Sequence, residues 1–425
     1  MSTHPARSVA VVGAGWAGLA AAVELLEAGY AVTVFEAGRL AGGRARSVML
    51  DGREVDNGQH LLLGAYLDTL SLMGRVGIDP ADVLERLPLQ VIDTSGFRLA
   101  LPRWPAPFNL AWGLLSARGV SLSEKLRTAI WMQGLKSRHF QLADTSLSVA
   151  TWLDSEGQTG ALRRHLWEPL CLAALNTPAE RASAQHFANV LRDSLGSPRR
   201  EDTDLLLPRV PLGQVLAGPA IQWLGKRGAE LRFSHRVRSL EADQDGIAID
   251  GERFDATILA TAPSHLAALS PALARTYDYE PIATVYLQFG AGTRLGFALE
   301  NRLAAQKAGD ETCDLTYWVV DRGNGLLACV LSGKGSWEAL DDAALAKAAA
   351  SRLGFGEPNW QGVIREKRAT FSCRPGIARP GEKTHSPRLF LAGDHTWADY
   401  PATLEGAVRS GLRAARALRS GLSPA

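Results

Sequence analysis

A strand-forming run, Ser8 to Val12, leads directly into Gly13-Ala14-Gly15-Trp16-Ala17-Gly18, and Trp16 to Ala28 continues as apolar helix formers that stop at Gly29. A GxGxxG spacing at a strand-to-helix turn leaves few folds open. The first glycine makes a tight turn, the second leaves bare backbone against a diphosphate, and the third lets helix and strand pack closely. The helix N-terminus aims amide donors and partial positive charge at the same anion. Ala31 to Glu36 is the next strand, near enough in sequence that the helix must carry the chain over to a parallel neighbour. Glu36 ends that strand, where a carboxylate accepts ribose hydroxyls and repels a 2′-phosphate. The spacing therefore predicts a dinucleotide-binding βαβ unit at the head of an α/β fold.

Two further segments select the dinucleotide. Gly42-Gly43-Arg44 follows Glu36 closely and supplies more bare backbone and a cation for a second phosphate contact. Near the other end, Leu389 to Ala392 reads as a strand running into Gly393-Asp394, which places a carboxylate within reach of a ribityl hydroxyl. Thr403-Leu404-Glu405-Gly406-Ala407 then opens a last helix, whose dipole suits the negative charge of a reduced flavin. Nicotinamide enzymes need no such second site, so FAD is the expected cofactor.

The remaining chain is read as two interleaved domains. A chain of 425 residues exceeds the usual limit of one hydrophobic core. Phe97 to His139 turns rich in Trp, Pro and Leu, which marks the start of a second domain. Val215 to Lys226 reads as an amphipathic helix, Glu230 to Arg232 and Arg236 to Glu241 as strands, and Asp250-Gly251 as a hairpin turn. The uncharged run from Ala256 reads as a buried strand ending in a proline turn. Ala283 to Phe289, Gly325 to Ser332 and Val363 to Phe371 read as strands of a separate antiparallel sheet. The expected organisation is a Rossmann-like FAD-binding domain from residues 1–85, 205–275 and 385–425, with an α+β substrate domain from 86–204 and 276–384.

Net charge is +2, which gives no reason to expect a nucleic-acid partner. Cys171, Cys313, Cys329 and Cys373 show neither CxxC nor metal spacing, so no metal is expected and reduced thiols in a cytoplasmic setting are the default. The glycines of the N-terminal run argue against a signal peptide, and no stretch reaches the ~20 apolar residues of a membrane span.

Together, the N-terminal motif, Gly42-Gly43-Arg44, Asp56-Asn57-Gly58-Gln59-His60, Val237 and the Ala392-Gly393-Asp394 to Gly406 segment resemble the flavin amine oxidase and phytoene desaturase superfamily. Asp-Asn-Gly-Gln-His-Leu-Leu-Leu-Gly and Pro-Ala-Thr-Leu-Glu-Gly-Ala-Val resemble, within it, the squalene-associated FAD-dependent desaturases, which act as hydroxysqualene dehydroxylases in hopanoid synthesis. The resemblance implies an amine oxidase-like fold and an FAD site containing Gly13, Gly15, Trp16, Ala17, Gly18, Glu36, Gly42, Gly43, Arg44, Gln59, His60, Val237, Gly393, Asp394, Thr403 and Leu404. One departure matters. Amine oxidases present an aromatic wall just before the Glu-Gly of the last motif, and here Thr403 stands there, so an amine substrate loses its cation-π support. Trp397 and Tyr400 offer an aromatic surface elsewhere or simply pack.

The resemblance implies that hydroxysqualene is converted to squalene by hydride from reduced flavin. Loss of hydroxide calls for a proton donor, and His60 and Tyr400 are the two candidates; a histidine that merely holds the Asp56 to Gln59 turn is an equal reading of His60. A polyprenoid desaturase working in the opposite redox direction and a non-catalytic prenyl-lipid escort are the alternatives. The electron donor stays unknown. Trp104 to Leu115 is too short to cross a bilayer and fits either an interfacial segment or a core helix. The first of these implies a cytoplasmic protein attached peripherally to the inner face of the cytoplasmic membrane.

Overall fold

The computed structural model describes residues 7–93, 95–295, 299–302, 315 and 317–422. Segments distant in sequence build one five-stranded parallel sheet, in the order Glu230–Arg232, Ala31–Phe35, Ser8–Val12, Ala256–Leu259 and Leu389–Leu391. Apart from the edge strand Glu230–Arg232, these strands are short and largely apolar because helices cover them. Trp16–Glu27 is buried through Leu25 and packs against the terminal helix Leu404–Leu422. The two helices approach so closely that a Cβ on Gly411 would lie 2.0 Å from the carbonyl oxygen of Ala17.

A second sheet is antiparallel, in the order Leu299–Arg302, Tyr317–Asp321, Leu326–Ser332, Tyr279–Gln288 and Trp360–Phe371. Alternation along its strands divides the labour. Val285, Leu287, Val319, Cys329 and Leu331 pack with Leu345 and Ala349 of the helix Asp342–Leu353. Their neighbours Ile282, Trp318, Val320 and Val330 face a cavity instead. Opposite them lies a helical module that includes Phe108–Ser116, Leu122–Ser137, Glu168–Leu175 and Ala184–Asp193. Its core holds Trp131, Trp152, Trp167 and Phe187.

Two local expectations change. Arg236 to Glu241 is not a strand over its length; the ladder begins only at Leu240, because the Asp250 carboxylate captures the amides of Arg238 and Ser239, each at 2.8 Å. Pro263 does not make a turn but opens the helix Pro263–Leu269 at its first position, where a missing N–H costs nothing. The Asp250-Gly251 hairpin does form, with φ of 48° and 86° at the two residues. Cys171, Cys329 and Cys373 are buried, whereas Cys313 lies outside the described residues. Among the described residues no helix is long and apolar enough to cross a membrane, and no cluster of His, Cys, Asp or Glu could hold a metal ion.

Candidate active site

A cavity of about 830 Å3 begins at the glycine-rich turn and runs between the two sheets into the helical module. At its first end, Gly13 has φ of +110°, and a Cβ there would lie 2.7 Å from the carbonyl oxygen of Ala260. Gly18 does not line the cavity; a Cβ on it would meet the carbonyl oxygen of Gly13 at 1.8 Å, so its bareness serves packing alone. Gly15 differs from both. The nearest atom to a Cβ built on it is the Cα of Gly43, at 3.9 Å, so the two glycines face each other across open space. A bridge between Gly15 and Gly42 and the 2.8 Å bond from the Gly42 amide to the Ala14 carbonyl hold that gap. Trp16 and Ala17 complete this wall, with the Trp16 indole donating to the Ala45 carbonyl at 3.3 Å.

Glu36 accepts from the Ala14 amide at 2.8 Å and the Gly38 amide at 2.7 Å, which fixes its carboxylate at the cavity edge. Val237 lines the cavity nearby, and neither its amide nor its carbonyl has a hydrogen-bond partner among the described residues. Asp394 pairs with Arg44 at 2.6 Å, and Arg44 also donates to the Ala369 carbonyl at 2.6 Å. Burial pushes the Asp394 carboxyl up, but Arg44 and His395 together outweigh it and hold the group well below the usual carboxylate range. Gly393 approaches this pair with φ of +143°. Thr403 accepts from the Gly406 amide at 3.0 Å and so caps the last helix, which presents Leu404 to the cavity.

The turn carrying Gln59 and His60 is locked from below. Asp56 accepts from the Leu212 amide at 2.7 Å, and its carbonyl receives the Tyr286 hydroxyl at 3.0 Å. Gln59 donates to the His60 carbonyl at 2.9 Å, while its buried Oε1 has no partner among the described residues. The His60 Nδ1 lies 2.8 Å from the Gly58 carbonyl and must donate to it. Burial also holds the imidazole below its ordinary pKa. His60 is therefore neutral, with the lone pair of Nε2 left to accept a proton rather than give one.

Tyr400 corrects the other expectation in the same way. Its hydroxyl donates to Asp193 at 2.7 Å, and burial with the Asp193 charge raises its pKa strongly. Neither residue proposed from sequence offers a proton to the cavity. Trp397 does not line it at all; Arg413 covers its ring at 4.7 Å.

Residues that sequence reasoning missed stand in the same cavity. Tyr66 is buried, lines it, and its hydroxyl has no partner among the described residues. Glu405 fixes it in place: its oxygens receive the Asp68 and Thr69 amides at 3.1 and 2.9 Å and the Thr69 hydroxyl at 2.7 Å, capping the helix Leu67–Arg75 just after Tyr66. Arg409 then joins Glu405 at 2.9 Å, Asp68 at 3.0 Å and Asp193 at 3.7 Å. His395 also lines the cavity, with both ring nitrogens buried and without a hydrogen bond among the described residues, its Nδ1 lying 3.8 Å from the Asp394 carboxylate. Its only signal in the sequence was adjacency to Gly393-Asp394, and Tyr66 had none. Beyond these groups the cavity becomes apolar, walled by Leu89, Val91, Leu170, Phe187, Val190 and Leu191.

This arrangement defines a dinucleotide cleft that opens into an apolar reaction chamber, the construction of an oxidoreductase whose cofactor and substrate meet end to end. Residues 16–419 match the flavin containing amine oxidoreductase family. A hydroxysqualene dehydroxylase of Rhodopseudomonas palustris is 31% identical over 96% of this chain and 97% of its own. A probable zeta-carotene desaturase of Synechococcus elongatus is 27% identical over 96% and 98%. The solved cyclohexylamine oxidase of Brevibacterium oxydans shares the fold, with a TM-score of 0.69 at 19% identity over 98% and 100%. The chain belongs to the flavin containing amine oxidoreductase family and is an FAD-dependent oxidoreductase. The open Gly15/Gly43 gap, the unpaired Val237 backbone and the orphaned Gln59 oxygen each fit such a cofactor.

Proposed function

We propose that the protein removes the hydroxyl of hydroxysqualene reductively to give squalene. The observation that carries this reading is the apolar chamber continuing from the cofactor cleft, with a few hydroxyl-bearing side chains at the junction. The likeness to hydroxysqualene dehydroxylases over nearly the whole of both chains supports it. In the net change an allylic C–O bond breaks and a C–H bond forms, with the oxygen leaving as water. Glu36, the facing glycines, Arg44, Val237, Gln59 and Asp394 hold FAD, which when reduced supplies the hydride and its electron pair. The source of those electrons is an unidentified redox partner.

The chain itself must deliver the proton. Tyr66 is the group placed to do so, since its hydroxyl is uncommitted while that of Tyr400 is bound to Asp193. Burial and the Glu405 carboxylate raise its pKa. That keeps Tyr66 protonated but makes it a weaker acid, so its proton passes only to an oxygen that has already gained the basicity of departing hydroxide. Tyr400 and His60 present lone pairs, which orient the substrate hydroxyl by accepting from it. The apolar walls exclude competing water from the allylic centre.

The deciding experiment incubates chemically reduced enzyme with hydroxysqualene anaerobically and follows flavin re-oxidation and squalene formation. Tyr66→Phe is expected to slow re-oxidation on the order of 100-fold with FAD still bound. His60→Ala and Tyr400→Phe should mainly weaken substrate binding. If His60→Ala or Tyr400→Phe slows the step as much while Tyr66→Phe does not, the proton assignment is wrong. A reduced wild-type enzyme that never produces squalene overturns the reaction itself.

One observation favours a second reading. A neutral His60 with an open Nε2 is equipped to take a proton, as a polyprenoid desaturase requires, and zeta-carotene desaturases are among the relatives. Desaturation of a polyene by oxidised enzyme would establish it.

A further inference from the structure

Among the described residues, most of the large apolar side chains left exposed fall between residues 104 and 130. Trp104, Phe108, Trp112 and Leu115 are 47, 66, 46 and 57% exposed, and Leu122, Leu126 and Ile130 are 73, 62 and 66% exposed. The last three are spaced four residues apart on the helix Leu122–Ser137, so they form a stripe along one side. The inner sides of both helices are already used. Leu110 and Leu114 pack into the same core as Trp131 and Leu135, together with Leu89, Val91 and Leu191, which also wall the cavity. The outer stripe is therefore surplus to folding.

Charge says what covers it. Residues 101–139 hold six Lys and Arg and a single acidic residue, Glu124. Glu124 is buried and accepts the Leu162 amide at 2.5 Å, so it offers nothing to the surface. Arg103, Arg118 and Arg127 are exposed and have no ion pair among the described residues. A second copy of the chain would bring the same positive collar against this one. An anionic phospholipid surface satisfies both the apolar stripe and the collar.

We infer that the paired helices Phe108–Ser116 and Leu122–Ser137 dock on the anionic surface of a bilayer. Phe108, Trp112, Leu115, Leu122, Leu126 and Ile130 enter the boundary between headgroups and acyl chains, and the arginines sit among the phosphates. Lys125 helps to clamp the two helices into one face by donating to the Leu115 carbonyl at 2.6 Å. The second helix matters here as much as the first.

The test uses the full, FAD-loaded chain in cosedimentation with phosphatidylcholine vesicles and with phosphatidylcholine–phosphatidylglycerol vesicles, without substrate. Wild type is expected to sediment with the anionic vesicles at least about tenfold more tightly than with the neutral ones, and to be released by salt. Leu126→Glu with Ile130→Glu, and separately Trp112→Glu with Leu115→Glu, should each abolish sedimentation. Arg103→Ser with Arg118→Ser and Arg127→Ser should remove the preference for anionic lipid. Phe355→Glu, at a residue 40% exposed outside these helices, should change nothing. Flavin absorbance verifies that every variant is folded. Wild type left in the supernatant with both vesicles overturns the proposal, as does unchanged binding by the Leu126/Ile130 variant. A wild-type dimer split by those glutamates would instead make the face a self-interface. Since no substrate is present, none of these outcomes bears on dehydroxylation.

Discussion

Gly15 and Gly18 are three residues apart in one motif, yet the structure gives them different work, and substitutions should separate the two. A side chain at position 15 projects into open space beside Gly43, so Gly15→Val can fold while filling the room a diphosphate requires. Glu36→Ala removes a fixed acceptor for ribose hydroxyls, where a hydrogen bond to a charged group contributes about 1.5–3 kcal/mol. Both variants should emerge as soluble protein with reduced FAD, Glu36→Ala weakened roughly 10- to 100-fold on that basis. Absorbance of the purified variants checks this, and full occupancy in both would remove these residues from the site. At this scale the sequence is readable wherever function is carried by spacing: the glycines at 13, 15, 42 and 43, Glu36, Arg44 and Asp394 all reach one cavity. It is unreadable where function is carried by what a neighbour does. Sequence cannot say whether the His60 ring donates or accepts, which is set by the Gly58 carbonyl accepting its Nδ1–H, and Tyr66 and Asp193 belong to no motif.

Among the elements, contact between the first and last helices is the most demanding. A Cβ at Gly411 cannot fit against the backbone of Ala17 without moving the two helices apart, and one of them is the helix that opens on the phosphate turn. Gly411→Ala should therefore cost about 1–3 kcal/mol, as overpacking does, and weaken FAD along with stability. A lowered Tm measured both with and without added FAD is the expected result; a melting curve equal to that of wild type would mean that the close approach is relieved elsewhere. Strands with a clean apolar pattern, such as Ser8–Val12 and Ala256–Leu259, are legible from the order of their residues alone. The stretch from Arg236 to Ser239 is not, because its amides are taken by Asp250, a side chain more than ten residues away that no periodicity reveals. The helical module is recognisable only as a change in composition. Its outer stripe on Leu122–Ser137 stays hidden in the sequence because the helix mixes polar and apolar residues closely, and burial alone tells which face they occupy.

Across the whole molecule, the parallel sheet takes strands from residues 8–35, 230–259 and 389–391, and the helix from Leu404 leans on the helix from Trp16. This ordering has a consequence for how the protein is made. A ribosome releases the glycine-rich turn long before the strand that flanks Ala256–Leu259 and the helix that braces the turn. The nascent chain must carry an unfinished cofactor site until residues 389 to 422 have emerged, with the antiparallel sheet and helical module free to fold meanwhile. FAD capture is therefore expected only once that last segment has cleared the ribosome. Chains stalled just short of residue 389 should bind no FAD, while those extended past residue 422 with a linker long enough to clear the ribosome should bind it. Flavin retention on stalled ribosomes reads the difference, and FAD bound by the shorter chains would show that the first βαβ unit holds the cofactor alone.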